Sequence, residues 1–180
     1  MDTSNFKFVF LGQSVLRYEV PYDIYATINS IYESKYSDLK RANKQLVGKI
    51  EKEHSLFFDG PANDKMESHN HLTKDVLMWF HEKFKHYLEW NRIETFEMHL
   101  NSIWVNNMFE HEYNPVHVHQ GKLFTGLSSV MILKLPESFG VEYSASHTPQ
   151  NGRLQILGSS SGQFAHMDYQ PEIKERDFFV

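Results

Sequence analysis

"EYNPVHVHQGKLFTGLSSVMILKLPE", residues Glu112 to Glu137, decides how this 180-residue chain is read. A turn signal, Asn114-Pro115, leads into His117 and His119, and an apolar run ending at Pro136 follows Gly121. Residues i and i+2 of a strand point to one face, so both imidazoles can reach one ion at the mouth of a barrel. Two histidines plus an acid, with open positions left over, make the facial triad of non-haem Fe(II) oxygenases. Two exposed polar residues at a strand end would have the same spacing, and spacing alone leaves both readings open.

Around this stretch the hydrophobic period changes along the chain. Phe6 to Val20 reads as two short strands broken at Gly12-Gln13, and Pro21 stands at a helix start, where its missing N–H costs nothing. Ile24, Ile28, Ile31 and Tyr32 recur at helical spacing, and a second helical piece is expected over Ser37 to Gln45. Residues 55–72, with Gly-Pro and Asn-Asp turn signals, read as a loop. Thr73 can cap a helix with Asp75 in its first turn, and Val76, Leu77, Phe80, Phe84, Tyr87 and Leu88 give it an apolar stripe to about Asn91. From there the period is 2: Phe96, Met98 and Leu100 share a face that Trp104 and Asn106 continue. Further strands are expected in "GLSSVMILKLP", "RLQILG" and "RDFFV". Helices followed by antiparallel-type strands predict an α+β domain, a β-barrel or sandwich backed by helices.

The net charge of -5 and pI near 6.1 give no basic footprint for nucleic acid. There is no cysteine, which excludes disulfides and thiolate metal sites and fits a reducing cytoplasm. The start "MDTSNFKF" is not a signal peptide, and no apolar run has the length of a membrane helix, so a cytoplasmic protein without a membrane partner is expected. Eleven histidines make imidazole metal sites worth testing and chance pairs common.

Other histidine groupings fit a metal site less well. His69-Asn70-His71 has the i, i+2 spacing but falls in the expected loop. His166-Met167-Asp168 reads as H-x-D, with no histidine downstream to complete it. His81-Glu82 with His86 imitates a zincin helix, but five residues apart on a helix turns the second histidine away, leaving two surface residues. A cupin motif needs a glutamate three or four residues after the pair, and the first after His119 is Glu137.

"NSIWVNNM", the 112–137 stretch, "GRLQILG" and "RDFFV" together resemble the 2-oxoglutarate/Fe(II)-dependent oxygenases of marine phages and bacteria, distant relatives of the prolyl 4-hydroxylases. The resemblance covers most of Leu100 to Val180, and its most specific block is Asn114 to Pro136. It implies a double-stranded β-helix (jelly-roll) core over 95–180, with 1–94 as a strand and helical support region of one structural domain. It implies Fe(II) and the cosubstrate 2-oxoglutarate, and hydroxylation of a small molecule or a protein side chain. His117 takes the place of the first metal histidine. His119 stands where the wider superfamily has an acid, so its coordination is an open question.

In the family a distal histidine, and an arginine or lysine that grips the cosubstrate, follow the "DFFV"-type strand. This chain ends at Val180 before either, and on the resemblance it reads as C-terminally incomplete. Strand edges exposed in this way would favour a homodimer. Lys134 could pair with the cosubstrate carboxylate, or face outward between Leu133 and Leu135. Asn106 and Tyr113 could hydrogen-bond the cosubstrate, or close the barrel mouth. Asp168 could supply a carboxylate to the metal. Such hydroxylation needs no acid–base residue, so none is assigned a catalytic role. The alternative function is a double-stranded β-helix without catalysis that acts as a binding or assembly module.

Overall fold

The computed structural model describes residues 14–42, 47–60, 66–117, 126–140, 151–158 and 168–180. Within them the chain is a mixed α+β fold of two helices and antiparallel sheets. Helix α1 (Tyr22–Ser34) starts at Pro21, whose carbonyl accepts from Tyr25 N at 3.0 Å, and it buries Ile28. Helix α2 (Lys74–Trp90) starts at Thr73, whose hydroxyl accepts from Val76 N at 3.4 Å. Its buried side chains are Val76, Trp79 and Phe80, so the stripe read from the sequence lacked its largest member, Trp79.

A three-stranded sheet lies in the order β1 (Arg17–Glu19), β9 (Asp177–Phe179), β6 (Val130–Met131). Phe178, fully buried in the middle strand, meets the rings of Trp79 at 5.0 Å and Phe80 at 5.4 Å. The main core gathers Val20, Ile28, Leu56, Val76, Trp79 and Phe178 between this sheet and both helices. The last strand was expected to leave an open edge. Instead β1 and β6 cover β9 on both sides, and the sheet's edges are those two strands.

The second sheet corrects two expectations. Ser37 to Gln45 does not continue as a helix: Lys40–Arg41 is strand β2, with residues 43–46 outside the described residues. Nor is 55–72 one loop, because it holds most of β3 (Lys52–Phe58) and all of β4 (His69–Asn70). Both β2 and β4 line one side of β3, and β5 (Ser102–Asn107) lines the other. The alternation that would have marked β3 is broken by a register shift between Ser55 and Phe57. An extra residue in one strand reverses which side chains face inward. Leu56 and Phe57 therefore both pack on the helix side, while Phe58 joins Ala42, Met66 and Trp104 in a smaller cluster on the other face.

A short pair, β7 (Ile156–Leu157) with β8 (Asp168–Tyr169), completes the described strands. Phe96, Met98 and Leu100 alternate in burial as expected, but the paired strand begins only at Ser102. The boundary expected at 94/95 falls between α2 and β5, and both larger sheets join strands from its two sides. The expected strand break at Gly12-Gln13 lies outside the described residues.

Candidate functional site

The route to His117 starts at the end of β5. The chain leaves Asn107, turns through His111 at φ 65°, and comes back beside residues 48–51. Tyr113 and Lys49 exchange both backbone hydrogen bonds, at 2.9 and 3.2 Å. Glu112 fastens the turn by accepting from Phe109 N at 2.8 Å and Glu51 N at 2.9 Å. The Phe109 N–H, joined by that of Glu51 and by nearby lysines, holds the Glu112 carboxyl below its usual range. Gly48, at φ +108°, makes the approach possible, because a Cβ there would stand 2.5 Å from the Tyr113 carbonyl oxygen.

His117 lies exposed just past this anchor, its Nδ1 2.7 Å from the Pro115 carbonyl. Since a carbonyl only accepts, Nδ1 carries the proton and the neutral ring has its lone pair on Nε2. A hydrogen bond from one ring nitrogen is the usual way a metal-ligating histidine is oriented. His119 lies outside the described residues, as does His166. Among the described residues no three His, Asp or Glu side chains converge where a metal ion could sit. They therefore supply one member of the expected ligand set, His117, and not a complete iron site.

The residues expected to hold the cosubstrate lie in three settings. Tyr113 is exposed on the turn, with its backbone tied to Lys49. Lys134 is exposed between half-buried Leu133 and Leu135, and lines an open groove of about 730 Å³ with Tyr22, Tyr25, Glu33 and Glu175. Asn106 stands directly opposite Glu53 in the β3/β5 ladder. A dicarboxylate brought to Lys134 or Asn106 would thus meet glutamates already in place. Asp168 is exposed in β8, and its carboxylate accepts from the Gln170 side chain at 2.9 Å.

The rival histidines also have definite places. His69 and His71 are not in a loop: β4 carries them along β3, with ring centroids 5.5 Å apart. Both nitrogens of His69 are engaged, Nδ1 with the Glu67 carbonyl at 2.8 Å and Nε2 with Ser55 Oγ at 2.9 Å. His81 and His86 are exposed on α2, His86 bonding the Tyr18 hydroxyl at 2.9 Å.

Two buried titratable groups escaped the sequence reading. Glu53 and His54 are 3% and 4% exposed. Burial pushes the Glu53 carboxyl up and the His54 imidazole down, each away from its charged form. Their signal was "KEHSLFF", whose polar first half hides a strand until its pairing with β5 is known. No helix among the described residues is long and apolar enough to cross a membrane. No family model, no curated protein and no solved structure matches this chain.

Proposed function

We propose that the chain is a 2-oxoglutarate/Fe(II)-dependent oxygenase domain with a jelly-roll core, in which His117 is a metal ligand and His119 its companion. The observation that carries this reading is the stretch from Asn114 to Pro136, whose turn, histidine pair and apolar strand resemble that family. Two features of the fold support it. The Pro115 carbonyl fixes the His117 tautomer with its lone pair on Nε2, and the Gly48–Tyr113 anchor holds the turn that presents it. Iron with 2-oxoglutarate supplies O2 activation and C–H hydroxylation, and the chain's own share is to hold and orient the ligands.

A second reading, an assembly module without catalysis, is favoured by the distribution of Asn106, Tyr113 and Lys134 over a sheet face, a turn and a helix-side groove. Anaerobic titration with Fe(II) and then 2-oxoglutarate separates the two. An oxygenase site gives a weak visible charge-transfer band that His117→Ala removes. The same titration is run on the chain extended through any reading frame that continues past Val180. Absence of the band in both forms would sink the oxygenase reading.

A further inference from the structure

Glu53 and Asn106 face each other across β3 and β5, so their side chains leave the sheet on the same face. Glu53 Oε1 and Asn106 Oδ1 are both buried, and neither has a hydrogen-bond partner. On the other side of Glu53 lies Ala42, whose N–H bonds the Glu53 carbonyl at 2.9 Å and whose methyl offers no donor. Across the sheet, then, an alanine methyl, a carboxylate and an amide oxygen stand in a row.

The nearby cations are engaged elsewhere. Lys40, one row along, pairs with Glu67 at 3.5 Å. The Arg41 guanidinium bonds the Glu51 carbonyl, and Lys52 lies over the Phe109 ring at 4.7 Å. Glu112, the other charge felt at Glu53, is itself negative. Two buried acceptors with no donor between them call for something that brings one.

We propose that Glu53 and Asn106 form a receptor for the ammonium group of a primary amine ligand, approached along β5. Asn106 and Trp104 are half-buried, so the pair meets solvent along that strand. An ammonium offers three N–H donors, enough for both oxygens, and its charge answers the carboxylate. Trp104 stands one pair along the ladder on the same face, opposite Ser55, where its ring adds an aromatic wall that suits a cation. A hard metal ion fits less well, because it takes six or more oxygens and the pair supplies two. An anionic ligand is excluded by Glu53 itself. The receptor stands on the sheet and does not rest on the oxygenase reading.

The test is titration with ethylammonium chloride at about pH 7.5 against sodium chloride of equal ionic strength, followed by thermal unfolding. A saturable rise in Tm specific to ethylammonium is expected, weakened about tenfold or more in apparent affinity by Glu53→Gln. Asn106→Asp, adding a second carboxylate, is expected to tighten binding. Carboxyl-¹³C NMR of the wild-type chain gives an answer that does not depend on any variant folding: the Glu53 resonance moves to its ionised position as amine is added. Equal responses to both salts, or a Glu53 carboxyl that stays protonated at saturating amine, would mean that a shared proton closes the pair and would overturn the proposal.

Discussion

Glu53 and His54 are adjacent in sequence and drive stability in opposite directions with pH. The folded state holds the Glu53 proton longer than the unfolded chain does, so its stabilisation falls as pH rises from about 4.5 through the raised folded value. His54 behaves conversely. Its contribution is present above about 6.5 and is lost as pH falls from there toward the lowered folded value. Glu53→Gln is therefore expected to be more stable than the wild type at about pH 8, with the gap closing toward pH ~4. His54→Phe, which keeps a ring against Tyr36 at 4.6 Å, is expected to lose less stability than the wild type on acidification below about pH 6.5. Urea unfolding across that range checks both. Neither position stood out in the sequence, because a charged residue looks like surface until a partner strand covers it.

At the scale of elements, the caps and turns carry the sharpest expectations. Thr73→Ala removes the one side-chain acceptor at the α2 N-terminus and should cost about 1 kcal/mol, toward the low end because the bond is long. Circular dichroism melting checks it. At Gly48 two penalties coincide, a left-handed φ and a Cβ driven into the Tyr113 carbonyl. Gly48→Ala is expected to lower Tm and to increase amide exchange at Lys49 and Tyr113, with the core of α2 unchanged. Helix α2 was legible because cap, first-turn acid and apolar stripe all agree within seventeen residues. Strand β3 was not, because its bulge breaks the period-2 pattern and the turn residues after Phe58 absorbed the rest.

Across the whole molecule, the last residues hold the two ends of the chain together. Arg17 donates to both carboxylate oxygens of Asp177, at 2.9 and 2.6 Å, and Lys174 N donates to the same group at 2.6 Å. Burial alone would raise the Asp177 carboxyl, but these bonds hold it below its usual value, so its contribution is lost as pH falls through about 3.8. Phe178→Ala should cost about 3–5 kcal/mol by opening a cavity between both helices and the sheet. Chemical denaturation checks it, and a loss below about 1 kcal/mol would contradict the packing described. The sequence by itself determined the two-part character of the chain: amphipathic helices, an alternating second half, and a histidine pair set between a turn and an apolar strand. Those signals are local, carried by periodicity and turn chemistry within a few residues. Tertiary structure alone decided that "RDFFV" is a middle strand and that Glu53 meets Asn106. It also decided that Gly48 props the turn before His117. Each of these depends on which distant segment lies alongside, and strand pairing leaves no trace in the spacing of either partner.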